Sequence, residues 1–134
     1  MKNKFLLIIP VLVLIDQIVK YLVKDKIYII FNSPLILYSK NTGAAFGILE
    51  GNNLLLIFIS LIIFVILGYF YYKEPKLRLG LIFIVSGAIG NLIDRISKGF
   101  VVDYINLGFY PAFNLADSFN IIGLIIIIYV VTRK

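Results

Sequence analysis

Four apolar stretches divide the chain, at positions 5–23, 54–72, 79–96 and 115–131. The first is unbroken by charge until Asp16 and Lys20, and the second is interrupted only by Ser60 and Gly68. The third carries Ser86, Asn91 and three glycines before Ile93, and the fourth confines its polar residues to its first two turns. A helix that crosses a bilayer takes about 20 residues, range about 17–25. All four stretches are long enough, the third and fourth by including their polar ends. The first also fits the apolar region of a cleavable signal peptide behind Lys2 and Lys4. Asp16-Gln17 stands where a small-x-small cleavage site is expected, so a retained helix is the reading adopted.

Between the first two stretches the pattern changes. Residues 27–31 and 35–38 are short β-prone runs separated by Asn32-Ser33-Pro34, which predicts a small hairpin at the outer interface. Lys40-Asn41-Thr42-Gly43-Ala44-Ala45-Phe46-Gly47 follows, either an ordinary loop or a segment whose backbone approaches a ligand closely. The loop 73–78 is short and basic and carries Pro75. The expected class is an all-α membrane protein with four transmembrane helices and a small extracytoplasmic β-hairpin or cradle, in one domain over 1–134.

Composition removes the soluble alternative. The chain is 61% apolar and 15% charged, with a mean hydropathy of +1.02. Soluble domains average about 45–50% and about 25%. There is no Cys and no His, which excludes disulfides, thiolate nucleophiles, a Ser-His-Asp triad and the H-E-x-x-H metalloprotease motif. The net charge of +6 comes mostly from the ends of apolar runs, the place for side chains at anionic lipid headgroups rather than for a nucleic-acid patch. An even number of spans puts Lys2, Lys4, Lys73, Lys76, Arg78, Arg133 and Lys134 on one side, 7 of the 13 basic residues. The positive-inside rule then favours cytoplasmic termini.

Ionisable residues inside apolar segments are functional candidates, since a charge at the bilayer centre costs about 2.5–3.5 kcal/mol. Asp16 and Lys20 lie four apart on one helix face, as a structural pair, a snorkelling end or a chemical group. Asn91, Asp94 and Arg95 share another face, and Gly87, Ala88 and Gly90 upstream let a second helix pack closely. Asp94 reads as a polar clamp with Arg95 as its charge partner, and the guanidinium can also reach a substrate carbonyl. Asp103 and Asp117 have no basic residue within four positions, and Gly108 and Pro111 between them permit a turn that joins the two carboxylates. Asn114 precedes Asp117 by three. Two adjoining carboxylates share a proton, the division of labour of aspartic proteases. The alternative is a helix cap at Asp117 and a solvated loop end at Asp103.

Five segments together carry a resemblance. Asp16-Gln17-Ile18-Val19-Lys20, Asn41-Thr42-Gly43-Ala44-Ala45-Phe46-Gly47, Gly90-Asn91-Leu92-Ile93-Asp94-Arg95, Val101-Val102-Asp103 and Phe113-Asn114-Leu115-Ala116-Asp117-Ser118 occur in the order of the prolipoprotein signal peptidase (signal peptidase II) family. The chain resembles that family almost end to end, with a connection from Asp103 to Asp117 that looks short for it. The resemblance implies a four-helix bacterial inner-membrane aspartyl endopeptidase with its site at the extracytoplasmic face. Its catalytic dyad falls on Asp103 and Asp117. Substrate contacts fall on Asn41, Gly43, Asn91, Arg95 and Asn114, and structural support on Asp16, Lys20 and Asp94. The implied substrate is a prolipoprotein carrying diacylglycerol on its lipobox Cys, cut on the amino side of that Cys. No metal, cofactor or nucleic acid is implied; membrane lipids are the other partners, and a monomer is expected. The rival from another class is a small four-helix proton-coupled exporter, which needs a central acid in a span and commonly a dimer. A Ser-Lys peptidase at Ser97-Lys98 is disfavoured, because adjacent residues point differently on a helix.

Overall fold

The structure, a computed structural model, describes residues 4–24, 26–30, 33–44 and 48–133. Asn32 of the predicted turn and residues 45–47 of the small-residue segment lie outside them. A 3-10 turn, Lys4–Leu7, leads into α1 (Ile8–Leu22), followed by β1 (Ile27–Ile30) and β2 (Ser33–Asn41). Next come α2 (Asn53–Lys73), a 3-10 turn at Pro75–Leu77, α3 (Arg78–Lys98), β3 (Val101–Ile105) and α4 (Leu115–Thr132). Four segments, Phe5–Leu22, Asn53–Lys73, Pro75–Lys98 and Leu115–Thr132, are long and apolar enough to cross a membrane. The expected class therefore holds. Helix α2 is apolar around its whole circumference and buries only Leu56, the surface of a helix that faces lipid.

Helix α3 is the centre of the bundle and touches each of the other three helices. Its contact with α4 depends on missing side chains. A Cβ at Gly87 would collide with the Ala116 carbonyl and the Asn120 amide, and one at Gly80 would stand 2.7 Å from the Gly123 carbonyl oxygen. Gly90 turns to both neighbours, with its Cβ position 2.6 Å from Asp16 Oδ2 of α1 and 3.2 Å from Ala116 of α4. The close approach expected at Gly87 and Gly90 is what brings the polar residues of three helices together.

The sheet has three strands in the order β1-β2-β3, all antiparallel. The first two are the expected hairpin. The third was not expected: Val101–Ile105 pairs Asp103 with Ser39 and Val101 with Asn41. Gly99 makes this possible, ending α3 at φ 82° and turning the chain back along β2. Ile105 also bridges Phe113, so the return towards α4 is closed tightly. Val23, Val102 and Tyr104 form the buried core between the sheet and the end of α1.

Candidate active site

The site is built around the first turn of α4. A helix start leaves its leading N–H groups without intrahelical partners. Here the Leu115 N–H donates to Tyr104 Oη (3.2 Å), Ala116 N–H to Asp16 Oδ1 (3.0 Å) and Asp117 N–H to Asn114 Oδ1 (2.9 Å). Asp117 Oδ2 accepts from the Asn114 N–H in return, completing a capping box. The helix-cap reading of Asp117 is thus correct. It does not exclude chemistry, because the cap uses one carboxylate oxygen and leaves the group facing a cleft.

Asp103 is 3% exposed, not a solvated loop end. Its Oδ2 accepts from Asn41 Nδ2 at 2.8 Å and its Oδ1 from Asn114 Nδ2 at 2.7 Å. Asp117 Oδ1 accepts from Asn91 Nδ2 at 2.8 Å. Asn114 Nδ2 also lies 3.1 Å from Asn91 Oδ1, so three asparagines tie the two carboxylates into one network. Asn114 itself is fully buried beneath the cleft and contacts the carboxylates, whereas Asn41, Asn91, Arg95 and Gly43 line it. Burial pushes the Asp103 carboxyl from 3.8 up to about 6; the Asn41 hydrogen bond pulls it down, and the nearby Asp117 charge pushes it further up.

Behind this network lies a buried ion cluster. Lys20 is not a snorkelling end: its side chain is 0% exposed and its ammonium reaches Asp16 Oδ2 (2.9 Å), Asp94 Oδ2 (3.0 Å) and Asn91 Oδ1 (3.1 Å). Three donors meet three acceptors. Asp94 pairs with Lys20 and with Lys98 (2.8 Å), not with Arg95, and its Oδ2 accepts the Val102 N–H. It therefore clamps α1, α3 and β3. Arg95 instead donates from Nη2 to the Gly43 carbonyl at 2.7 Å, while its buried Nη1 has no partner among the described residues.

The carboxylates open onto a cleft of about 490 Å³ between β2, α3, β3 and α4. Val101 and Asp103 line it, while the alternate residue Val102 faces the other side of the sheet. All ten polar and glycine positions assigned from the sequence lie in this network or on this cleft. A family model described as signal peptidase (SPase) II matches residues 8–133. The chain belongs to the signal peptidase II family. It is 40% identical over 131 residues to a lipoprotein signal peptidase of Halothermothrix orenii, covering 91% of this chain and 90% of that one. A lipoprotein signal peptidase of Caldanaerobacter subterraneus is 40% identical over 139 residues, covering 96% of each. A bacterial membrane enzyme solved by the in meso method at 2.3 Å superposes with a TM-score of 0.86 at 32% identity, covering 98% of this chain and 88% of that one. A second, solved at 1.9 Å, gives 0.82 at 33%, covering 98% and 94%. Family and helices together make this a multi-pass membrane peptidase.

Two residues of this cleft and its network escaped the sequence reading. Tyr104 is buried and caps α4, and only its two-residue offset from Val102 in a strand would have pointed to it. Asn120 lines the cleft one helical turn beyond Asp117, a spacing that was legible. The Asn41 bond supplies a pH test. Its N–H stabilises the ionised form of Asp103, so Asn41→Ala raises that carboxyl further above about 6. A group raised on folding stabilises the native state below its unfolded value of 3.8, and this contribution is lost as pH rises through about 6. The limb of the cleavage-rate profile that reports Asp103 is expected to move to higher pH in Asn41→Ala. An unmoved limb, or one moved to lower pH, contradicts the assignment.

Proposed function

We propose that this chain is an aspartyl endopeptidase that removes signal peptides from diacylglyceryl-modified prolipoproteins, cutting before the lipidated Cys. The observation that carries the reading is that Asp103 and Asp117 face one cleft and, among the described residues, accept only from asparagine amides and backbone. Among the described residues no ammonium or guanidinium pairs with either. Charge counting points the same way. In the ion cluster and on the cleft, four cations, Lys20, Lys40, Arg95 and Lys98, stand against five carboxylates, Asp16, Glu50, Asp94, Asp103 and Asp117. One proton on the dyad balances the cluster, and an unbalanced buried charge is costly.

With one proton shared, the ionised carboxylate takes a proton from water as the water oxygen attacks the scissile carbonyl carbon. The protonated partner gives its proton to the carbonyl oxygen. Collapse of the tetrahedral intermediate passes a proton to the departing amine and restores the starting state. Arg95 Nη1, buried and without a partner among the described residues, is placed to hold a substrate carbonyl. Gly43, fixed by Arg95 and by Asn41 Oδ1, brings its backbone to the cleft wall; a Cβ there would stand 2.9 Å from the Ile48 carbonyl.

Lipid on the substrate supplies confinement and register. Each buried acyl CH₂ contributes about 0.8 kcal/mol of membrane affinity, so two chains hold the scissile bond near the membrane surface. An unlipidated prolipoprotein is therefore expected to be cut far more slowly than its diacylglyceryl form in a gel-shift assay. Equal rates would reject lipid-dependent recognition and leave the dyad untouched. The exporter alternative predicts instead no cleavage and a drug-coupled proton flux.

In this reading one domain over 1–134 sits in the bacterial inner membrane as a monomer, with the 73–78 loop cytoplasmic and the sheet and cleft outside. The chain has no Cys, so a single introduced thiol reports its side. Pro75→Cys is expected to resist a membrane-impermeant thiol reagent added to intact cells. Labelling there would invert the topology.

A further inference from the structure

The sheet has a second cleft on its opposite face, of about 410 Å³, lined by Lys20, Tyr21, Lys24, Tyr38, Lys98 and Phe100. It lies where α1 and α3 both end, the level at which two candidate spans leave the hydrocarbon. Its electrostatics are one-sided. Lys20 is spent on Asp16, Asp94 and Asn91, and Lys98 contacts Asp94 with its side chain still 36% exposed. Lys24 is exposed and has no side-chain partner among the described residues. Asp16 and Asp94 are 0% exposed behind their lysines, and among the described residues no carboxylate lines the cleft. Among those residues two ammonium groups thus reach its open side with one charge unmatched. Tyr21, 78% exposed, adds an amphipathic ring of the kind that settles at a membrane–water interface.

We propose that this cleft binds the singly charged phosphate ester of an anionic glycerophospholipid headgroup. Lys24 and Lys98 are its cationic contacts. The acyl chains run along the exposed apolar face of α1, where Leu14, Ile18 and Leu22 are 48–60% exposed. A phosphate diester carries one negative charge and several acceptor oxygens, which matches the single unspent ammonium and the partly exposed second one. A zwitterionic headgroup brings its own cation to the same cleft and loses that advantage. The site is separate from the peptidase cleft: Val102 faces it while Val101 and Asp103 face the dyad side.

The test is lipid retention by the full detergent-purified chain in native mass spectrometry, with phosphatidylglycerol, phosphatidylcholine and soluble glycerol phosphate as probes. Phosphatidylglycerol is expected to be retained over phosphatidylcholine. Lys24→Gln should reduce its retention about fivefold, with an unchanged unfolding midpoint, since the side chain is exposed and has no partner among the described residues. Lys26→Gln, exposed but outside the cleft, should retain it as the wild type does. Equal retention of both lipids, or equal loss in the two variants, overturns the site in favour of a diffuse basic surface. Displacement of the lipid by equimolar glycerol phosphate overturns the lipid assignment; failure to compete supports it.

Discussion

Asp103→Asn and Asp117→Asn are each expected to lower turnover by roughly 10²–10⁴-fold, the range that general acid–base groups contribute. The amide keeps the shape and one acceptor oxygen but can neither share the proton nor take one from water. The geometry adds a qualification about folding. Both oxygens of Asp103 accept from asparagine N–H₂ groups, so an amide there sets one donor against another. Asp117 is in the same position between Asn91 Nδ2 and the Asn114 N–H. An unmade bond of this kind costs about 1–3 kcal/mol, so the unfolding midpoint must be measured beside the cleavage rate. The expected result is a variant that is somewhat less stable, still folded, and inactive on a lipidated prolipoprotein. Cleavage at the wild-type rate by either variant would remove the aspartyl dyad from the mechanism.

The helices were legible because each is an apolar run of spanning length, and their bounds fall within a few residues of the runs. Strand β3 was not legible. Val101-Val102-Asp103-Tyr104-Ile105 puts a carboxylate at its centre, and the pattern reads as the edge of an apolar stretch. Only pairing with β2, across an irregularity between Ile36 and Ser39, makes it a strand and buries Asp103. The ten candidate residues that the structure brings together were chosen by type, spacing and family resemblance, but their partners were not all found. Arg95 was given to Asp94 because it is adjacent, although successive helical residues diverge. The partner at four residues, Lys98, was in view, and the deeper partner, Lys20, is brought in from α1 by packing. The cap that joins Asp16 to the first turn of α4 spans 100 residues and has no local signature.

That long-range cluster sets the largest expected loss of stability. In Lys20→Met the side chain keeps its apolar stem and loses the ammonium, leaving Asp16 and Asp94 buried with one cation fewer. Breaking a buried pair by removing one partner costs about 3–5 kcal/mol, because the remaining charge is uncompensated. Asp94 retains Lys98, but among the described residues Asp16 retains only the neutral Gln17 amide at 3.1 Å and the Ala116 N–H at 3.0 Å. Neutralising the stranded group should then recover part of the loss. Lys20→Met with Asp16→Asn is expected to be more stable than the sum of the two single variants, by 1 kcal/mol or more on the scale of coupled neighbours, about 0.5–3 kcal/mol. Activity should fall in Lys20→Met even where the protein stays folded. Asn91 Oδ1 loses its ammonium donor, and the Asn91 amide is what holds Asp117 Oδ1. Denaturant unfolding of the four proteins in one detergent measures the cycle. A Lys20→Met protein within about 1 kcal/mol of wild type, or a strictly additive cycle, would show that the cluster is not the electrostatic keystone joining α1, α3 and α4.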